Sequence, residues 1–338
     1  MELRVDVPPW ARYVISDLTA MEHAPHPVDA ARVTRFRLTL PDAVYFEYAF
    51  LDEAGDVRAD PANPGRADNP WYAELSAAKG PDYAPHPLAA PDPELAQGRL
   101  RRLRLPTAHG GTRRATLYEP RGVDGPAPLL VAHDGTAYLR IAQLPAVYEA
   151  LRSQGRVRAA RMAFLDPHRP ERRRAEYGFG ADAEAYQQDL EGAFLPRLRE
   201  LAHAAGGIYL LGASLGALAA ARYAVARPDR VAGLALQSGA FLGAPEDPDP
   251  HESARSWFRE ALDRDPGALP WRVYQEVGTL DWLAEVNRAV ATRLAERAEA
   301  HAFETRPAGH NWTFWRDGLA EALAFLLPPE DVPPAEGR

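Results

Sequence analysis

Residues 208–223 read I-Y-L-L-G-A-S-L-G-A-L-A-A-A-R-Y, and the fold follows from this stretch. The apolar run 208–211 stops at Gly212, Ser214 stands between two glycines, and residues 215–226 are almost all helix formers. A strand turning sharply into a helix with serine at the apex is the nucleophile-elbow pattern, here Gly212-Ala213-Ser214-Leu215-Gly216. The glycines keep side chains away from an apex whose backbone is strained and closely packed. Such a turn lifts the hydroxyl to the carboxyl end of the sheet. It also aims the first helical N–H groups, which have no intrahelical acceptor, at the same point.

Around the elbow, short apolar strands alternate with helices. Strands are expected at 128–132, 161–165, 231–237, 271–277 and 301–305. Helices are expected at 143–154, 181–204 with an interruption near Pro196, about 253–262, 283–300 and 316–327. A hairpin of two strands, 99–105 and 113–119, precedes them. This alternation predicts a parallel sheet covered on both faces. The first 95 or so residues read differently, with strands at 11–16, 33–40, 44–51 and 57–59 and no helix. From Asp60 to Asp92 proline, glycine and alanine dominate, a stretch expected to pack over a neighbour or link two domains rather than form elements. Two domains are therefore expected, a β module with its Pro-rich linker at 1–94 and a catalytic α/β domain at 95–338, ending in a loose tail.

Composition narrows the chemistry. A formal charge of −8 argues against nucleic acid or an acidic membrane as partner. Cysteine is absent, which removes disulfides, a thiolate nucleophile and a cysteine zinc site, and agrees with a reducing compartment. Lys79 is the single lysine, so Schiff-base chemistry and lysine phosphate loops are close to excluded. No apolar run approaches a membrane span, and the start M-E-L-R-V-D-V-P-P-W lacks the pattern of a secretory signal. A cytoplasmic location is expected, and the sequence assigns no oligomeric state.

A serine hydroxyl needs a general base, and the base needs an orienting carboxylate. In the α/β-hydrolase fold these follow in the order serine, acid, histidine. His301 begins an apolar strand and reads as structural; His310, in P-A-G-H-N-W after the last strand, reads as the base. Trp312 and Trp315 are expected beside it, excluding water and lining the substrate site. Asp281, after the strand W-R-V-Y-Q-E-V-G, is the first candidate acid; Glu285 stays open one helical turn on, while Glu276 lies within the strand. Oxyanion donors are expected from the Leu215 N–H and from Gly135 or Thr136, after the strand P-L-L-V-A. His133 and Asp134 suggest a metal pair, but no second histidine stands at ligand spacing, so no metal or cofactor is expected. The run R-P-E-R-R-R at 169–174 carries Arg172, Arg173 and Arg174 on the expected catalytic face. It reads either as a site for an anionic substrate or as a solvated loop.

Two resemblances add to this. Ile15-Ser16-Asp17-Leu18, Phe46-Glu47-Tyr48-Ala49-Phe50 and Asp60-Pro61-Ala62-Asn63-Pro64 look like the immunoglobulin-like modules of the glycogen-binding, early-set type. Those modules carry a sugar-stacking tryptophan shortly after the first motif, where Met21 or a neighbour stands here, so the module is expected to pack on and shape the next domain. H-D-G at 133–135, R-A-E-Y at 174–177, E-G-A-F-L-P at 191–196, G-A-S-L-G, L-Q-S-G-A-F at 236–241 and G-H-N-W-T-F-W-R-D-G-L at 309–319 are similar to the enterochelin esterase family. The likeness covers nearly the whole chain. It implies an early-set module ahead of an α/β-hydrolase domain with a doubly wound, mostly parallel sheet, and Ser214, Asp281 and His310 as a triad. It also implies a small-molecule ester as substrate, a ferric catecholate siderophore in the named members and esters unrelated to iron in others. Where the family tends to place tryptophans after Leu236-Gln237-Ser238-Gly239, this chain has Ala240-Phe241-Leu242. A non-catalytic glycan-binding or scaffold protein that keeps the fold is the remaining reading, against which the serine–acid–histidine order stands.

Overall fold

The computed structural model describes the chain except residues 20, 22, 23, 30, 31, 73, 109, 110, 248–252, 266 and 330–338, so most of the C-terminal tail lies outside the described residues. The chain begins with strands β1 (Glu2–Asp6), β2 (Tyr13–Ser16), β3 (His26–Pro27), β4 (Arg35–Thr39), β5 (Tyr45–Leu51), β6 (Val57–Arg58) and β7 (Ser76–Lys79). β1 and β4 form a two-stranded antiparallel ribbon, Glu2 opposite Thr39. The others form an antiparallel sheet in the order β3-β2-β5-β6, with β7 also paired to β5. Leu3, Val5, Phe36 and Leu38 of the ribbon close over Val14, Phe46 and Phe50, giving a small sandwich. On the other face Ile15, Ala49 and Leu51 pack against Leu75. β5 is thus buried throughout, the reason its sequence alternates so poorly.

The Pro-rich stretch is not free of elements, since β7 lies within it and pairs with β5. The motif residues of this module bond to one another: Tyr48 OH donates to Asp60 Oδ2 at 2.8 Å, and Asn63 Nδ2 donates to Tyr48 OH at 3.2 Å. Met21 is buried and presents no stacking surface.

The rest of the chain builds one eight-stranded sheet. In sequence it runs β8 (Arg99–Pro106), β9 (Thr112–Glu119), β10 (Ala127–His133), α1 (Gly135–Arg140), α2 (Leu144–Ser153), β11 (Arg161–Leu165), α3 (Arg173–Tyr177), α4 (Ala181–Asp189) and α5 (Leu195–Leu201). It continues through β12 (Ala204–Ala213), α6 (Leu215–Ala226), β13 (Val231–Gln237), α7 (Trp257–Arg264), β14 (Leu269–Gly278), α8 (Ala284–Arg297), β15 (Ala298–Arg306) and α9 (Trp312–Leu326). The spatial order is β15-β14-β13-β12-β10-β11-β9-β8. β10 to β15 are parallel, and β9 and β8 complete the edge antiparallel. α4 to α8 cover one face through Tyr186, Leu218, Phe258 and Val290, while α1, α2 and α9 cover the other through Tyr138, Tyr148, Trp312 and Leu323. This is the α/β-hydrolase architecture, with both sheet faces buried as its apolar strands require.

Several boundaries differ from the sequence expectation for physical reasons. The helix expected over 181–204 is α4, a π-turn at Leu190–Phe194, and α5. Pro196 lacks the N–H that would continue the ladder, so the turn widens ahead of it. Ala204 opens a strand instead. The final helix starts at Trp312, not 316, because Asn311 Oδ1 accepts the Phe314 N–H and caps it. Among the described residues no helix is long and apolar enough to cross a membrane.

Candidate active site

Ser214, Asp281 and His310 follow the carboxyl ends of β12, β14 and β15, so parallel strand order alone brings them to one edge of the sheet. Ser214 has φ 56° and ψ −121°, a strained conformation for a side-chain-bearing residue. Its N–H donates to Gln237 O at 2.9 Å and its carbonyl accepts from Ala240 N at 3.0 Å, which fixes the apex to the end of β13. A Cβ at Gly212 would lie 2.3 Å from the Gly216 carbonyl carbon, so the turn closes only with glycine there.

His310 Nε2 is 2.9 Å from Ser214 Oγ, and His310 Nδ1 is 3.0 Å from Asp281 Oδ2. All three side chains are buried. Asp281 Oδ1 accepts the Leu283 N–H at 2.8 Å, so the carboxylate also steadies the turn into α8. Glu285 is exposed on α8, and Glu276 is held below the site. Glu276 Oε1 accepts from Gln237 Nε2 at 2.6 Å, and Oε2 from Tyr274 OH at 3.0 Å and Arg306 at 2.8 Å. Trp315 sets its ring edge-on to the imidazole, 5.0 Å between centroids, and donates its indole N–H to Ser238 Oγ. Trp312 sits a layer behind, edge-on to Tyr138 and Trp71. Both tryptophans are fully enclosed. They stand on the histidine's side of the site and are not among the residues lining the cavity beside Leu215, where the sequence reading expected them to line a substrate site.

Leu215 and Gly135 each open a helix, α6 and α1, where the first N–H has no intrahelical acceptor. Thr136 is placed differently: its N–H donates to Asp166 Oδ1 at 2.8 Å and its hydroxyl to Asp166 Oδ2 at 2.6 Å. The Thr136 N–H is thus already engaged, and Gly135 remains as the candidate donor beside Leu215. The loop carrying it is clamped by a contact that the sequence did not suggest. Arg173 Nε and an Nη donate to the two oxygens of Asp134, at 2.8 and 2.7 Å. The guanidinium also lies 4.4 Å from the centre of the Trp71 ring. Of the three arginines read either as an anion site or as a solvated loop, Arg173 is instead tied to Asp134. Arg172 pairs with Asp182 at 2.5 Å on the surface, and Arg174 stands at the cavity. His133, next to this loop, meets Tyr177 and Tyr186 edge-on, with Nδ1 2.8 Å from Tyr186 OH. Burial pushes its imidazole down to about 3, so it stays neutral. No cluster of three metal-ligating side chains occurs among the described residues.

Beside Leu215 opens a cavity of about 510 Å³. Phe179, Leu218, Leu242 and Trp282 give it apolar walls, with Arg174, Glu171 and Asp247 around them. Trp282 also tilts against His310, 5.8 Å between ring centres. The sequence reading passed over Trp282, although its position next to Asp281 is a signal that it faces the same space.

Residues 107–326, well over half of the chain, match the Esterase family, described as Putative esterase. No curated protein matches the chain. Among solved structures, the ferric enterobactin esterase of Salmonella typhimurium superposes with a TM-score of 0.71 at 17% identity, over 96% of this chain and 92% of that one. The enterobactin esterase of Shigella flexneri, solved in the presence of enterobactin, gives a TM-score of 0.68 at 18% identity over the same shares. A feruloyl esterase module from Clostridium thermocellum, complexed with sinapinate, gives 0.53 at 15% identity, over 72% of this chain and 93% of that one. At such identities the likeness establishes the fold. With that fold and the family match, the chain belongs to the Esterase family and is a carboxylic ester hydrolase.

Proposed function

We propose that this hydrolase works through an acyl-enzyme on Ser214, with His310 as general base and Asp281 as its orienting carboxylate. The carrying observation is the continuous chain Ser214 Oγ–His310 Nε2–Nδ1–Asp281 at 2.9 and 3.0 Å. Ser214 Oγ attacks the ester carbonyl carbon while its proton passes to His310 Nε2. Asp281 accepts from Nδ1–H and stabilises the imidazolium. The negative charge that develops on the carbonyl oxygen is received by the Leu215 and Gly135 N–H groups. Collapse breaks the C–O bond and the alcohol leaves with the proton from His310. Water, deprotonated by the same histidine, then releases the acid.

The cavity supports an uncharged ester with an apolar or aromatic acyl group. Arg173 and Arg172 are engaged by Asp134 and Asp182, and Glu171 and Asp247 offset Arg174. A tri-anionic ferric siderophore ester is the second reading, favoured by the likeness to enterobactin esterases over both the β module and the main sheet. The test is a series of p-nitrophenyl esters beside ferric and iron-free catecholate esters, with wild type and Ser214→Ala. The variant is expected to stay folded and lose about 10⁴-fold or more in kcat. A folded variant keeping a tenth of wild-type turnover would remove Ser214 from the mechanism. A kcat/KM for the ferric ester above that of every neutral aryl ester would establish the siderophore reading.

A further inference from the structure

The β module reaches the site through one buried carboxyl. Asp17, just past β2, is fully enclosed. Its Oδ2 accepts the Glu47 N–H at 2.8 Å and the Asn311 Nδ2 at 2.9 Å. Asn311 directly follows His310 in sequence. On the other side of His310, a Cβ at Gly309 would lie 2.0 Å from the Asp17 Cβ, so the glycine lets the chain run flush against Asp17. A further tie sits just upstream, where Tyr45 of β5 bridges Ala308. Asp17 therefore touches both chain neighbours of His310 while standing almost three hundred residues away in sequence.

The surroundings keep this carboxyl from acting as a surface charge. Burial and the neighbouring Glu47 push Asp17 well above the usual carboxylate range, and Asp281 adds to the effect. Asp17 Oδ1 and Glu47 Oε1 have no partner among the described residues, so neither carboxylate receives the full set of donors that would stabilise its charge. A protonated Asp17 still offers Oδ2 as acceptor to both N–H groups.

We propose that Asp17 is a positioning residue for the hydrolysis: through Asn311 and Gly309 it fixes the loop that holds His310 at hydrogen-bond distance from Ser214. This rests on His310 being the general base. Backbone bonds from Tyr45 to Pro307 and from Leu280 to Ala308 hold the loop ahead of Gly309, and Asn311 Oδ1 is occupied by the cap of α9, so Asp17 is the tie on the Asn311 amide group itself. A displacement of the imidazole by about 1 Å is enough to cost roughly a hundredfold in rate.

The test compares Asp17→Ala, Asp17→Asn, Asn311→Ser and the double variant Asp17→Ala/Asn311→Ser on p-nitrophenyl acetate, with melting curves for each. Serine at 311 can still cap α9 but cannot reach Asp17, so that variant carries the test even if Asp17→Ala does not fold. Asp17→Ala and Asn311→Ser are expected to lower kcat by about 10- to 100-fold with KM nearly unchanged. Asp17→Asn, whose carbonyl oxygen accepts the same two N–H groups, should stay within about threefold of wild type. The double variant should be no slower than the slower single one, because both remove the same contact. Wild-type kcat in folded Asn311→Ser, additive losses in the double variant, or a loss in Asp17→Asn equal to that in Asp17→Ala would each overturn the proposal. His310→Ala separates the two claims. If it retains activity, the assignment of the base fails; if it is inactive while Asn311→Ser turns over normally, only the positioning role falls.

Discussion

Arg173 is the residue whose role changes most between sequence and structure. The run R-P-E-R-R-R looks the same whether it is solvated, binds an anion or holds a loop. What decides is Asp134, thirty-nine residues earlier, which the pairing of β10 with β11 brings within reach. Asp134 has φ 55° and immediately precedes the Gly135 N–H, so the ion pair holds the turn that carries the oxyanion donor proposed at Gly135. Removing one partner of a buried ion pair costs about 3–5 kcal/mol, because the other charge is left alone. Arg173→Gln should therefore melt earlier than wild type and lose kcat equally on a neutral and an anionic ester. A loss confined to the anionic ester would return Arg173 to substrate binding. That Ser214, Asp281 and His310 meet was legible because their order along the chain and their places after three strands of one parallel sheet are themselves sequence properties. Asp17 and Asn311 were not, since a bond between two regions so far apart in sequence leaves no local periodicity.

Among the elements, α9 shows how local signals mislead. Its first turn is the aromatic run W-T-F-W, which reads as a loop covering the site until Asn311 is recognised as the cap. The elbow helix and the strand after it fall where apolar runs and helix formers place them, because each is long, uniform and ended by a clear break. α3 was hidden in the arginine-rich loop, being too short for its pattern to register. Within α9, Gly318 is a position where propensity and packing disagree. Alanine at an exposed helix site is worth about 1 kcal/mol over glycine. Here a Cβ would lie 1.9 Å from Glu276 Oε2, a carboxylate already tied to Gln237, Tyr274 and Arg306. Gly318→Ala is expected to destabilise by about 1–3 kcal/mol, the usual range for overpacking, read as a lower denaturation midpoint. A raised midpoint would mean that α9 can shift away from β14 without loss.

For the whole molecule, the seam between the β module and the main sheet is polar where the site is and aromatic beside it. Trp71 sits edge-on to both Trp312 and Trp315, Tyr83 OH donates to Asp317 at 2.8 Å, and Arg316 pairs with Asp68. Glu47 lies in this seam, and burial raises it to about 7 against the pull of Asn69, Tyr45 and Arg316. The folded state thus favours the protonated acid. The stability this contributes is complete below the unfolded value of about 4.5 and is lost as pH rises through about 7. Glu47→Gln imitates the protonated form and cannot titrate. The Tm of wild type should therefore fall relative to the variant between about pH 5 and 8, and parallel Tm–pH curves would count against a buried proton on Glu47.

The close meeting of Asp17 with Gly309 also bears on how such a chain can change by descent. Here the acid that closes against the histidine loop and the glycine that admits it are inherited in different halves. A hybrid that took its first half from another lineage would need both at once, so the two halves are expected to be passed on together and to diverge in step.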